Sequence, residues 1–244
     1  MKNRRNSLHA AWLIHFRYKR KEVSEMRISV LGTGRMGQGL IKVMSPHVKG
    51  ISWGSRSPEK AEELIKKSNS KEVFPVTYEK ALQADIIFHS FWFRDLLPFV
   101  KENKEELAGK ILVDIVNPFT EDFSDFTTEW GTSAAEELQR TLPDTRVVGA
   151  FKNTFFEVFN QPIHVGMKSD VYVTSDEEEA RDTIVKLLEP LPFRILDGGL
   201  LKNNRTIERM TLFERELAIR YGHYPYVSFR LFGAEIGDKT REGL

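Results

Sequence analysis

An α/β fold with a doubly wound, mostly parallel sheet is predicted for this chain of 244 residues by three observations. Apolar runs of strand length alternate with stretches of helical period, the order expected when parallel strands are covered by helices on both faces. The run Ile86-Ile87-Phe88 is apolar throughout rather than alternating, as a strand buried on both faces is. The third observation is a glycine string, Gly32-Thr33-Gly34-Arg35-Met36-Gly37, placed directly between a strand and a helix.

That string is the G-x-G-x-x-G fingerprint in the setting it requires, and it makes the fold Rossmann-type. Strand Arg27 to Leu31 precedes it, and a helix carrying Met36, Leu40, Ile41, Val43 and Met44 follows until Ser45-Pro46. Gly32 permits the tight turn, Gly34 leaves room for a pyrophosphate, and Gly37 lets the helix lie close on the sheet. Free amides and the positive helix end then face the phosphates, so Gly32, Thr33, Gly34, Arg35, Met36 and Gly37 are expected to bind a dinucleotide.

The second strand, Gly50 to Gly54, indicates which dinucleotide. A site for NAD usually ends this strand in an acid that accepts from the ribose 2′-hydroxyl, whereas NADP needs hydroxyls and an arginine for its 2′-phosphate. Here Ser55, Arg56 and Ser57 follow, with no acid until Glu59, so NADP(H) is the expected cofactor. Ser57 also suits the N-cap of the next helix with Pro58 at its first position, and a cap leaves Ser55 and Arg56 free.

The remaining elements follow in order. Pro58 to Ser68 reads as a charged helix, Val73 to Val76 as a third strand, Tyr78 to Gln83 as a short helix and Asp85 to His89 as a buried strand. Ligands bind at the carboxyl edge of such a sheet, which makes His89 and Ser90 further cofactor-binding candidates, with Phe91, Trp92 and Phe93 as walls for an aromatic ring. His89 is the one catalytic candidate, as a donor to the carboxamide or to a reduced ring; a histidine bonded within a loop is the alternative. Helix Leu96 to Leu107 and strand Lys110 to Ile115 lead to Asn117, another candidate at that edge. Residues 121 to 131 lack periodicity and read as a loop or lid, followed by helix Ser133 to Arg140 and a sixth strand, Arg146 to Phe151. Strands Asp170 to Thr174 and Phe193 to Leu196 flank a helix from Asp176 to Leu188, and a long helix runs from Asn203 to about Tyr221. Residues Tyr221 to Tyr226, with Pro225, suit either closure over a pocket or a subunit contact.

The expected organisation is therefore a basic, disordered extension over residues 1–25, an NADP-binding domain over 26–150, and a smaller C-terminal α/β lobe over 151–244 that completes the acceptor cleft. With 41% apolar residues the chain can bury a real core, and no apolar run approaches a membrane span. Residues 1–25 hold seven Lys or Arg against two Glu, leaving a mildly acidic body that argues against nucleic-acid binding. The absence of cysteine excludes disulfides, thiolate catalysis and Cys-ligated metal, and suits the reducing cytoplasm where the protein is expected. The six histidines show no metal-ligand spacing.

Several strings together resemble one family, the deazaflavin-dependent NADP oxidoreductases, whose Rossmann domain also forms the cytosolic part of six-transmembrane metalloreductases. They are Gly32 to Gly37, Gly54-Ser55-Arg56-Ser57 with Pro58-Glu59-Lys60-Ala61, Ser133-Ala134-Ala135-Glu136, and Asp197-Gly198-Gly199-Leu200 continuing to Arg205 and Glu208. The resemblance spans Met26 to about Phe232 and implies NADPH along the glycine turn, its 2′-phosphate near Ser55 and Arg56, and a deazaflavin or flavin co-substrate over the nicotinamide. Chemistry between two cofactors needs little acid–base machinery from the protein. One departure stands out: the family often reads A-F-N-T after the sixth strand, whereas this chain has Ala150-Phe151-Lys152-Asn153-Thr154, one residue longer where the acceptor ring is met. Lys202 is placed like the catalytic lysine of β-hydroxyacid dehydrogenases, but Thr206 stands where those enzymes have asparagine one helical turn on, so it reads as a surface residue.

The expected partner is a small-molecule redox acceptor, with no nucleic acid, no membrane span and a homodimer as one possible assembly. An NADPH-dependent reductase of a small imine or carbonyl, and a non-catalytic NADPH sensor, are the alternatives. An open aromatic cavity beside the nicotinamide favours an enzyme; a filled one favours a sensor.

Overall fold

The computed structural model describes residues 22–233. Most of the expected basic extension lies outside the described residues; Val23–Glu25 within it form a 3-10 turn, with Val23 against the core.

One sheet of eight strands organises the chain: β1 (Ile28–Leu31), β2 (Ile51–Gly54), β3 (Val73–Val76), β4 (Ile86–His89), β5 (Ile111–Asp114), β6 (Arg146–Gly149), β9 (Asp170–Thr174) and β10 (Arg194–Gly199). Their spatial order is β10-β9-β6-β5-β4-β1-β2-β3. Strands β1 to β6 are mutually parallel, and the order reverses between β1 and β4, which opens a crevice at their carboxyl ends. The remaining two strands, β7 (Ile163–His164) and β8 (Met167–Lys168), form a small hairpin.

Residues after 150 continue this sheet. Strand β9 meets β6 antiparallel through Gly149 and Thr174, and β10 runs parallel to β9. A side chain at Gly149 would collide with Asn204 and Thr174 at 2.6 and 2.7 Å, so glycine allows that junction to close. The Arg194 guanidinium holds both Asp170 oxygens at 2.6 Å across the last two strands.

Helices α1 (Arg35–Met44), α2 (Pro58–Ser68), α3 (Tyr78–Ala81), α4 (Phe93–Glu102), α5 (Lys104–Leu107), α6 (Ala134–Thr141), α7 (Glu178–Leu188) and α8 (Asn204–Arg220) cover both faces. Alternation along the strands sends Val30, Phe88 and Val113 into one core and Leu31, Ile87 and Leu112 into the other. The helix expected over Leu96 to Leu107 starts earlier and divides. It breaks at Asn103, whose side-chain amide donates to the Phe99 carbonyl at 2.8 Å and so takes an acceptor that ends the helix. No helix among the described residues is long and apolar enough to cross a membrane.

Candidate functional site

The glycine turn is built as its residues dictate. Gly32 has φ +101°, a conformation that favours glycine, and the Trp53 indole of β2 donates to its carbonyl at 2.9 Å from the buried core. A Cβ on Gly37 would stand 2.1 Å from the Gly32 carbonyl oxygen, so only hydrogen lets α1 start this close to the turn. Gly34 differs: its backbone is extended, and nothing lies within 4 Å of an added Cβ. Its glycine is unexplained by the protein's own packing and fits a ligand lying against the backbone.

Gly34→Ala is therefore expected to fold with unchanged stability while weakening NADPH about tenfold or more, a loss of about 1.4 kcal/mol, in a calorimetric titration. Unaltered affinity would show that nothing packs against that atom.

Two adjoining cavities open at the carboxyl edge and share Gly34, Ser90, Phe91 and Trp92. The larger, about 630 Å³, is bounded by Gly32, Thr33, Ser55, Arg56, Ser57 and Lys60, with Arg94 and Asp95 beyond. Its basic residues outnumber its acid, as a polyphosphate requires. Ser55 is buried and its hydroxyl accepts from the Ser57 amide at 3.1 Å, shaping the turn after β2. Ser57 occupies the N-cap position of α2, but its hydroxyl donates to Glu59 at 2.8 Å instead of capping a backbone amide. That pairing, with a backbone hydrogen bond as the larger cause, holds Glu59 below the ordinary carboxylate range. Tyr78 stands beside Arg56; burial raises its phenol, and the guanidinium opposes that rise. Tyr78 also packs edge-on against Phe91 and Phe99 at 5.2 and 5.6 Å, so it is a rigid support.

The smaller cavity, about 170 Å³, has aromatic walls from Phe119 after β5, Phe123 in the loop, Phe155 and Phe156 after β6, and Tyr224 beyond α8. Met36, Asn117, Thr211, Arg35 and Arg215 also line it. The loop over residues 121–131 carries no helix or strand and brings Phe123 against Trp92 at 5.8 Å.

Of the expected residues, Thr33, Gly34, Arg35, Met36, Ser55, Arg56, Ser57, Ser90 and Asn117 line these cavities, with Gly32 at the floor and Gly37 just behind. His89 is a correction. It is fully buried, lines neither cavity, and places Nε2 3.1 Å from Asp114 Oδ1, because β4 is covered on both faces and its alternation turns this side chain inward. Its side chain lies below the cleft surface instead of at it. Phe91 and Trp92 line the cleft, whereas Phe93 packs against the core. Lys202 is an exposed surface residue.

Beneath the smaller cavity lies a charge cluster that sequence reading missed. Lys152, the extra residue after β6, is fully buried; its ammonium donates to Asp114 Oδ2 at 2.5 Å and to the Val116 carbonyl, and lies 3.1 Å from Glu208 Oε1. Burial works against every charge here. Even so, Lys152 and His89 hold Asp114 low, while burial and the neighbouring Asp114 charge raise Glu208. The two carboxylates in turn raise Lys152 against its own burial. The Lys152 carbonyl accepts from Asn117 Nδ2 and Thr211 Oγ1, both at 2.7 Å, so one residue ties β5 and α8 to opposite walls of the cavity.

Fold and cavities are those of a dinucleotide-binding α/β protein. A family model described as "NADP oxidoreductase coenzyme F420-dependent" matches residues 27–118. The F420-dependent NADP reductase of Methanocaldococcus jannaschii is 32% identical over 213 residues, 80% of this chain and 94% of that protein. Human metalloreductase STEAP2 is 27% identical over 197 residues, 79% of this chain but 37% of that protein. Among solved structures, a candidate F420-dependent NADP reductase from Arthrobacter sp. FB24 shares the fold with TM-score 0.72 at 22% identity, over 81% of this chain and 95% of that one. An imine reductase from Bacillus cereus BAG3X2 gives TM-score 0.59 at 17% identity, over 81% of this chain and 63% of that one. The chain belongs to the coenzyme F420-dependent NADP oxidoreductase family and is an NADP-dependent oxidoreductase.

Proposed function

We propose that this protein transfers reducing equivalents between NADP(H) in the larger cavity and a deazaflavin or flavin acceptor in the smaller one. The carrying observation is the open, aromatic-walled cavity joined to the basic one through Gly34 and Ser90, where a sensor would be filled. Bound NADPH supplies a hydride, and the acceptor ring takes it. The chain's own residues bind and orient. Ser55, Arg56, Ser57 and Lys60 hold the 2′-phosphate, the turn from Gly32 to Gly37 holds the pyrophosphate, and Asn117 and Thr211, fixed by Lys152, orient the rings. Phe119, Phe123, Phe155 and Tyr224 exclude water and take the acceptor's faces.

NADPH oxidation measured with riboflavin, FMN, FAD and a deazaflavin tests this reading, and absence of turnover with all four removes it. Arg56→Ala is expected to weaken NADPH by about 1–3 kcal/mol in calorimetry and to leave NADH nearly unchanged, as loss of a charge-assisted contact to the extra phosphate does. Equal loss for both dinucleotides would mean that Arg56 does not read the phosphate.

A further inference from the structure

Both charged side chains that line the smaller cavity are arginines. Arg35 opens α1 beside Gly34, on the dinucleotide side, with its guanidinium 4.1 Å from the Phe156 ring centre. Arg215 stands on α8, one turn after Thr211, its guanidinium carbon 5.8 Å from the Phe123 ring centre and 5.6 Å from that of Tyr224. Its Nε is buried without a hydrogen-bond partner, and among the described residues no carboxylate lies within ion-pair distance of it. The other arginines of the same helix are matched: Arg205 with Glu136 at 2.5 Å, Arg209 with Asp125 at 3.6 Å and Arg220 with Glu216 at 2.6 Å. Neither carboxyl oxygen of the adjacent Glu214 has a hydrogen-bond partner among the described residues, so it does not pair with Arg215 either, and burial raises its carboxyl.

A guanidinium held between two rings with donors unspent is complementary to an anion that arrives from outside. We propose that Arg215 is the specificity-determining residue of this cavity, its guanidinium pairing with an anionic group on the acceptor so that charged acceptors are chosen over neutral ones. This rests on the smaller cavity being the acceptor site. The rings recognise any flat molecule, whereas the cation separates charged acceptors from neutral ones of the same shape.

Two pairs of probes test this on the full chain saturated with NADP⁺: FMN against riboflavin, and 8-anilinonaphthalene-1-sulfonate against neutral N-phenyl-1-naphthylamine, each titrated by fluorescence. Wild-type protein is expected to prefer the anion in both pairs by about tenfold or more. Arg215→Ala collapses that preference toward one, and Arg215→Lys restores part of it. Equal affinities within both pairs, or a preference that survives Arg215→Ala, overturns the proposal. Steady-state NADPH oxidation separates this from the proposed function. If no flavin is turned over but the sulfonate is still preferred through Arg215, the flavin reading fails and the anion site stands. If FMN and riboflavin are turned over alike and no preference depends on Arg215, the flavin reading stands and the anion site falls.

Discussion

Lys152→Met is expected to destabilise the protein by about 3–5 kcal/mol, because it leaves Asp114 and Glu208 buried with their compensating charge removed. Methionine fills nearly the same volume, so the loss is electrostatic rather than a cavity effect. Glu208 still accepts from the Ala134 and Ala135 amides at 3.0 and 3.4 Å, but Asp114 loses the ammonium at 2.5 Å and keeps only His89 and the Val116 amide nearby. Against a typical total of about 5–15 kcal/mol, a urea titration should show the midpoint fall sharply with its slope unchanged. Adding Asp114→Asn to Lys152→Met should recover part of the loss, since the double variant removes one orphaned charge as well. No recovery would mean that Lys152 stabilises by packing alone.

How much of this was legible beforehand follows from how local each signal is. The glycine turn and the basic end of β2 are contiguous strings whose chemistry is fixed by residue type, and the structure brings Gly32 to Gly37 and Ser55 to Ser57 to one cleft edge. The strings Ser133-Ala134-Ala135-Glu136 and Arg205 to Glu208 carried the resemblance without a visible role. Folded, they are one clasp: the Ser133 hydroxyl caps α6 by accepting from the Glu136 amide and donates to the Glu136 carboxylate, Arg205 grips Glu136, and Glu208 accepts from the α6 amides. They are structural, and they seat α8 against the sheet.

The charge cluster was illegible because its members are 38 and 56 positions apart in sequence and meet only through strand register and helix seating. His89 and Asp114 are register partners on β4 and β5, so their side chains leave the same face. A strand that is apolar on both faces gives no clue to which face its last residue takes, and that is why His89 read as a cleft residue. Lys152 was visible only as one residue too many after β6.

Glu214→Gln is expected to stabilise the protein, and increasingly so as pH rises. Glu214 is 4% exposed on α8, and neither carboxyl oxygen has a hydrogen-bond partner among the described residues. Burial pushes its carboxyl up from 4.5 to about 9. A folded-state value raised above the unfolded one means that the folded chain holds a proton which the unfolded chain releases. The stability this gives is complete below about pH 4.5 and drains away as pH rises toward 9. Each unit across that window costs up to about 1.4 kcal/mol. Glutamine is neutral throughout, so the variant should match wild type near pH 5 and exceed it by about 2–3 kcal/mol at pH 7 in urea titrations. Parallel stability curves from pH 5 to 8.5 would show that Glu214 finds a partner or water and ionises normally. The consequence reaches the cleft, because Glu214 shares α8 with Glu208, Thr211 and Arg215. Charging it disfavours the seated position of the helix that supplies one wall of the smaller cavity, so the same substitution should extend NADPH oxidation to higher pH.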